Sequence, residues 1–300
     1  MKILVTGGTG FVGSHIVEYL VQRGDNVTIL DNLNTGKIEN LSKVKTNVNV
    51  VNGDIRDYKL LEGLVNDSDG VFHEAALASV QQSFKMQDEY FDVNVNETEN
   101  ILKLAKEYGF KVVYASSSSV YGNTTEIPIN ENFELNPINP YGQTKLDGEK
   151  IARRYSEQNV SVIGLRYFNI FGKGQTIEYA GVITKFIERL KEGKSPIIFG
   201  KGSQIRDFIY VNDVAEANLM AMNCNESNLL VNIGSGKAIS ILELANMMIK
   251  ISGIELNPTF TKSLQGDIEK SHADVSLAKR LLGWKSEITL QEWLKEIIKK

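Results

Sequence analysis

The stretch Lys2-Ile3-Leu4-Val5-Thr6-Gly7-Gly8-Thr9-Gly10-Phe11-Val12-Gly13 decides the fold, together with Asn26-Val27-Thr28-Ile29-Leu30-Asp31. The first five residues form a short apolar run that reads as a buried strand. Glycines follow, and then Ile16, Val17, Leu20 and Val21 fall on one helical face that ends near Gly24. A second apolar run closes on Asp31. Strand, glycine turn, helix, strand and acid in this register form the unit that holds a dinucleotide. Gly7, Gly10 and Gly13 are expected to serve the sharp turn, the close approach of backbone to pyrophosphate and the packing of helix on strand. Phe11 and Val12 open the helix, whose N-terminus offers free N–H groups to phosphate. Asp31 is placed to accept hydrogen bonds from ribose hydroxyls. Asn32 follows it rather than Arg or Lys, which favours NAD over NADP.

Working outward, the chain has 300 residues, 42% hydrophobic and 23% charged, enough for a substantial core in one or two domains. A formal charge of −4 gives no basic footprint for nucleic acid. Cys224 is the single cysteine, which suits a reducing compartment and packing rather than chemistry. No leader-like segment and no apolar run of about 20 residues is visible, so a cytoplasmic protein is expected. No metal is called for by the sequence.

The alternation of strand and helix continues. Asn32, Asn34, Thr35 and Gly36 read as a loop beside the adenosine. Val48–Val51 is a third strand running into Gly53-Asp54-Ile55, where Asp54 could meet an adenine amino group or be a solvated loop acid. Gly70–Phe72 is a fourth strand leading through His73 and Glu74 to the small Ala75 and Ala76, which leave room for a cofactor. His73 reads as a hydrogen-bonded core residue before a catalyst. Glu89–Tyr108 reads as one long helix carrying Asn94, which could reach the cofactor or face solvent. Phe110–Ala115 is a fifth strand, ending in the serines Ser116 to Ser119. A serine cluster at a strand's carboxyl end suits a ligand site, or turn chemistry.

Pro140-Tyr141-Gly142-Gln143-Thr144-Lys145 opens the next helix. Positions i and i+4 share a face, so Tyr141 and Lys145 point the same way. An ammonium nearby is expected to lower the tyrosine pKa and make it a general base. After the strand at Val160–Leu165 comes Arg166-Tyr167-Phe168-Asn169, and then a looser region. A strand at Gln204–Val211 carries Arg206, whose guanidinium can clamp a diphosphate or form a surface ion pair. Asp213 is expected to cap the following helix. Ser240 and Glu243 form a capping box, and Met247 and Met248 read as core. Thr289 caps the last helix, whose terminal Lys299 and Lys300 suit its negative end.

With Tyr141-x-x-x-Lys145 in place, the chain resembles the extended short-chain dehydrogenase/reductases, in particular the NAD-dependent nucleotide-sugar epimerase/dehydratase group. The resemblance runs nearly end to end, through Thr6–Gly13, Asp31-Asn32-Leu33, Gly53-Asp54, His73–Ala76, Asn94, Ser116–Gly122, Tyr141–Lys145, Arg166–Asn169, Arg206-Asp207, Ala273-Asp274 and Leu282–Trp284. Among subfamilies it is most similar to the UDP-glucose (UDP-galactose) 4-epimerases. It implies an α/β fold: a Rossmann doubly wound parallel sheet with a smaller interleaved C-terminal α/β substrate domain. The NAD-binding domain is expected at 1–166 plus about 204–235, and the nucleotide-sugar domain at about 167–203 and 236–300.

The implied reaction is 4-epimerisation of a UDP-hexose through a transient 4-keto sugar, with NAD regenerated in each turnover. Tyr141 would be the base, Lys145 would bind the nicotinamide ribose, and Ser117 would hydrogen-bond the sugar 4-hydroxyl. Phe168 joins the cofactor set. Asn169 and Arg206 would contact diphosphate and Asp267 the nucleotide ribose, with Val182, Phe199 and Ser271 completing the substrate set. Dehydratases carry Asp-Glu where this chain has Ser118 and Ser119, which favours epimerisation without elimination. Two departures stand out: Leu264 occupies a position where epimerases usually carry a diphosphate-binding Arg, and the small Ser271 leaves room for an N-acetyl group. Another nucleotide-sugar reaction, or a non-catalytic NAD-binding scaffold, is the competing reading. A homodimer paired through Glu89–Tyr108 and Tyr141–Gln158 is also implied.

Overall fold

The computed structural model describes residues 1–175 and 181–298. Lys299 and Lys300 lie outside the described residues. The strands, in chain order, are β1 Lys2–Thr6, β2 Asn26–Asp31, β3 Val48–Asn52, β4 Gly70–His73, β5 Lys111–Ser117, β6 Val162–Tyr167, β7 Asn169–Phe171, β8 Ile197–Phe199, β9 Ile205–Tyr210, β10 Leu229–Ile233, β11 Ala238–Ser240, β12 Thr259–Thr261 and β13 Lys270–Ser271. Seven of them form one sheet in the order β10-β6-β5-β4-β1-β2-β3. All its pairings are parallel. This is the doubly wound Rossmann arrangement, and the order reverses between β1 and β4, where ligands bind outside the carboxyl ends of the strands.

Each face of the sheet is closed by helices. Ile16, Val17 and Leu20 of the helix Phe11–Gln22 pack with Val214, Ala217 and Ala221 of the helix Val211–Asn223 on one side. Leu61, Val65, Ile101, Leu104 and Ala152 cover the other. Burial on both faces explains why the strands read as continuous apolar runs. A smaller sheet holds β11-β9-β13, with β7 beside β9. Its core includes Phe171, Phe186, Ile198, Phe208, Leu244, Met248, Trp293 and Leu294. Strand β9 therefore pairs within the smaller sheet, although the sequence reading grouped 204–210 with the NAD domain. The chain returns to the Rossmann face only with the helix that starts at Val211. No described helix is long and apolar enough to cross a membrane.

Two local expectations change. The expected helix from Glu89 to Tyr108 is three consecutive pieces: Gln87–Phe91, a π-helical turn Asp92–Asn96, and Glu97–Tyr108. Asp213 does not cap its helix, because the helix begins two residues earlier. Its buried carboxylate instead accepts bonds from Ser286 Oγ and from the backbone N–H groups of Glu287 and Ile288. It thus fastens the C-terminal segment, as does Trp284 Nε1, which donates to the Asp213 carbonyl at 2.8 Å.

His73 is a core histidine, as the sequence suggests. Thr98 spends its hydroxyl proton on the Asn94 carbonyl at 2.9 Å, so His73 Nε2 donates to Thr98 Oγ1 at 3.0 Å. Nδ1 then accepts from Thr6 Oγ1 at 2.9 Å. Burial, with Lys145 nearby, pushes its pKa down to about 3. The unfolded chain takes up this proton below about pH 6.5, whereas the folded protein does not until about pH 3. Stability is therefore lost as pH falls through that window, by on the order of 2 kcal/mol from this residue between neutrality and pH 5. Urea unfolding at both pH values checks this, and His73→Gln should flatten the slope.

Candidate active site

A cleft of about 770 Å³ opens at the carboxyl ends of β1, β2, β4, β5 and β6. Its floor is the glycine turn. Gly7 has a φ of +67°, and a Cβ there would lie 2.7 Å from the Ala75 backbone nitrogen. A Cβ on Gly13 would lie 2.3 Å from the Gly7 carbonyl oxygen. The turn is thus a cradle that side chains would fill, and Thr9 Oγ1 is buried there without a partner. Gly10, Phe11 and Val12 line the same wall. Gly13→Ala should weaken NAD binding about tenfold or more, since forced overpacking costs about 1–3 kcal/mol. Calorimetric titration of the protein freed of nucleotide reads this directly.

Asp31 ends β2 beside this turn. Its Oδ2 accepts from Thr9 N at 3.0 Å and its Oδ1 from Leu33 N at 2.9 Å. Each oxygen keeps a further lone pair for a ribose hydroxyl. Asn32, Asn34 and Thr35 line the cleft, and Gly36 passes against Thr9 and Asp31. Asp54 and Ile55 line it too. Asp54 is not a free acid, however. Arg56 Nε and Nη2 donate to its two oxygens at 2.9 and 2.8 Å, and Asn32 Nδ2 donates at 3.1 Å. The Arg56 side chain holds the Asp54 carboxyl well below the usual range. Sequence reasoning passed over Arg56, although the Asp54-x-Arg56 spacing in a turn was the available signal.

Ala75 and Ala76 line the opposite wall, with Phe168 and Asn169 at the end of β6. Asn94 is not in the lining. Its amide is buried and used up within the protein, accepting from Leu77 N at 2.8 Å and donating to Leu77 O at 2.9 Å and Thr144 Oγ1 at 3.1 Å. It holds the 74–78 loop against the helix Pro140–Ser156.

Ser117, Tyr141 and Lys145 meet in this cleft. Ser117 ends β5, and its Oγ accepts from Ser119 N at 3.1 Å. The helix that carries the pair starts at Pro140 and is capped by Asn139, whose Oδ1 accepts from Gly142 N at 2.8 Å. Lys145 Nζ lies 5.9 Å from the centre of the Tyr141 ring and donates to the Ala115 carbonyl at 2.9 Å. The expected lowering of the Tyr141 pKa is corrected here. Burial raises it, against a hydrogen bond from Ser117, with Glu74 adding to the rise. Burial also pushes Lys145 down to about 8. Both charged forms are disfavoured by the same dry surroundings.

Of the expected substrate residues, Asn169, Arg206 and Ser271 lie on the smaller sheet, while Phe199 ends β8, which pairs with β12 in a separate two-stranded sheet. Register places Arg206 beside Ser271 and Phe208 beside Asn169. Arg206 Nη2 donates to Asp267 Oδ1 at 2.5 Å. Gln204 Nε2 bridges the Phe199 carbonyl at 2.7 Å and Asp267 Oδ2 at 3.1 Å. Gln204 was missed by sequence reasoning, and its Oε1 and Ser271 Oγ are buried without partners. Val182 opens the helix Val182–Lys191 behind Gly181. Of this set, Ser117 and Asn169 line the main cleft, whereas Val182, Phe199, Arg206, Asp267 and Ser271 do not. Leu264 is exposed.

A glycine cradle and a buried Tyr-x-x-x-Lys helix facing each other across one cleft define a dinucleotide-dependent enzyme of Rossmann type. The chain belongs to the NAD dependent epimerase/dehydratase family, whose model matches residues 3–234. It is 41% identical over 301 residues to a putative UDP-glucose 4-epimerase of Methanocaldococcus jannaschii, covering 99% of this chain and 97% of that one. Its structure is similar to the UDP-glucose 4-epimerase of Thermotoga maritima solved with UDP-glucose, with a TM-score of 0.95, 34% identity, and coverage of 100% and 98%. It is equally similar to the UDP-N-acetylglucosamine 4-epimerase of Methanobrevibacter ruminantium, with a TM-score of 0.94, 35% identity, and coverage of 99% and 97%.

Proposed function

We propose that this protein is a UDP-hexose 4-epimerase that keeps its NAD through each turnover. The observation that carries the reading is the meeting of Ser117, Tyr141 and Lys145 beside the dinucleotide cradle, with Ser118 in the cleft where an eliminating enzyme needs an acid. The glycine cradle, Asp31, Lys145 and Phe168 would hold the cofactor. NAD, when bound, supplies a hydride acceptor and donor for the sugar carbon. Tyr141 takes the proton of the sugar 4-hydroxyl and later returns it. Ser117 Oγ orients that hydroxyl and supports the phenolate. Lys145 brings positive charge to the site and holds the helix to β5 through Ala115. Arg206 and Asn169 bind the diphosphate, Asp267 and Gln204 the nucleoside, and Val182 and Phe199 the adjoining wall.

The substrate range includes the N-acetyl sugars. Ser271 is small, sits next to Arg206 in register and has an unpartnered hydroxyl. The likeness to a UDP-N-acetylglucosamine 4-epimerase supports the same reading. The helices Glu97–Tyr108 and Pro140–Ser156 pack side by side, and we propose that they also pair two copies of the chain.

The test incubates the purified protein, without added NAD, with UDP-galactose and separately with UDP-N-acetylglucosamine, and follows the anomeric proton signals by NMR. Appearance of the 4-epimer from both supports the proposal. Turnover of UDP-galactose alone removes the Ser271 argument. Failure with both, even with NAD supplied, moves the reading to dehydration, decarboxylation or reduction of another nucleotide sugar.

A further inference from the structure

The helix that carries Tyr141 and Lys145 starts on Asn139-Pro140. Proline has no N–H to satisfy, so the first N–H groups that need partners belong to Tyr141, Gly142 and Gln143. All three are met inside the protein. Tyr141 N donates to Ser83 Oγ at 3.1 Å, Gly142 N to Asn139 Oδ1 at 2.8 Å and Gln143 N to the Asn139 carbonyl at 3.1 Å. Ser83 Oγ gives its own proton to the Val80 carbonyl at 2.7 Å. A cap needs only an acceptor, and serine or aspartate would serve there as well. Asn139 brings a donor too. It is 5% exposed, and its Nδ2 donates to the Gly266 carbonyl at 3.2 Å. One amide thus joins the start of the helix to a turn 127 residues further along the chain.

We propose that Asn139 is a positioning residue for Asp267: it holds the turn at Gln265-Gly266 to the start of the Tyr141 helix, so that the nucleoside grip and the base share one anchor. This rests on the proposed role of Asp267 in holding the nucleoside. Asp267 follows Gly266 directly, and its two oxygens accept from Arg206 Nη2 and Gln204 Nε2. The rest of the turn is fitted to the same place. Gln81 Nε2 donates to the Gln265 carbonyl at 2.9 Å. Gly266 has a φ of +69°, and a Cβ on it would lie 2.8 Å from Phe84 Cζ and 3.1 Å from Asn139 Cβ. The segment 81–84 therefore receives both the Tyr141 N–H and the turn that leads to Asp267. Neither Asn139 nor Gly266 is among the described residues that line the main cleft, so the anchor acts on the substrate end and not on the cofactor cradle.

The experiment compares the wild type, loaded with NAD, with Asn139→Asp. Aspartate caps a helix as well as asparagine does, and its charge suits the helix N-terminus. It has no N–H for Gly266 and sets a carboxylate oxygen against that carbonyl. Calorimetric titration with UDP reads the grip. The dissociation constant should rise about tenfold, the scale of one hydrogen bond lost. KM for UDP-galactose should rise with it, while kcat moves less. A residue that only caps the helix would leave the UDP affinity where it is, and that result overturns the proposal. If Asn139→Asp does not fold, Asn139→Ser decides. Its shorter hydroxyl, bound to Gly142 N, cannot also span to Gly266, so UDP affinity must again fall. Hydrogen exchange of the protein without UDP is the second measurement. Amides 264–268 should exchange faster in either variant, while those of 144–156 keep their protection. Unchanged exchange at 264–268 also overturns the proposal. If the wild type binds no UDP, the proposed function fails, while the exchange still judges Asn139.

Discussion

Tyr141→Phe should lower kcat for UDP-galactose by about a thousandfold, within the span that loss of a positioned general base produces. The ring and its burial remain, so the cleft keeps its shape. What disappears is the phenolic oxygen proposed to take the proton. KM should change little, because the residues proposed to hold the nucleotide end, Arg206 and Asp267, lie away from Tyr141 outside the main cleft. A loss seen in KM with kcat retained would show that Tyr141 binds and does not transfer the proton. Because burial raises the Tyr141 pKa, wild-type activity should climb with pH through neutrality, and this climb should vanish in the variant. Stopped assays across pH give both readings from one set of samples.

Glu149→Ala should destabilise the fold by about 3–5 kcal/mol, the cost of leaving a buried charge without its partner. Arg166 and Glu149 are 2% and 3% exposed. Arg166 Nε and Nη2 donate to the two Glu149 oxygens at 2.8 and 2.7 Å. Ser116 Oγ donates to the same carboxylate at 2.5 Å, and Arg166 Nη1 donates to Tyr121 Oη at 2.8 Å. Tyr121 in turn donates to Asn232 Oδ1 at 2.7 Å. This network ties the helix of Tyr141 and Lys145 to β5, β6 and β10, so its loss reaches the active site. Denaturant unfolding measures the effect. The double variant Glu149→Leu with Arg166→Met should recover much of the stability, since neither charge is then stranded. A double variant no better than the single would mean that the polar bonds to Ser116 and Tyr121 carry the energy.

The site was legible where its chemistry is local in the chain. Gly7 to Gly13, Asp31 and the Tyr141–Lys145 spacing each announce a geometry fixed by a few bonds: a turn, a strand end, one helical turn. The surroundings of Asn94 and Asp54 were not legible in the sequence, because they depend on partners far along the chain or on one overlooked neighbour. Asn94 is spent on Leu77 and Thr144, and Asp54 on Arg56. The direction of the Tyr141 pKa was misread for a related reason. The i, i+4 rule reports that Lys145 is near, but it says nothing of how much water both groups lose.

The sequence by itself determined the Rossmann unit, the dinucleotide and the shared face of Tyr141 and Lys145, because apolar periodicity and short spacings act within single elements. Tertiary structure alone decided which polar groups are free. It set Arg206 against Asp267, placed β9 in the smaller sheet, hid Arg166 with Glu149 and joined Glu74 to Tyr167. These outcomes depend on long-range packing and on the desolvation it imposes, and no local pattern of residues carries that information.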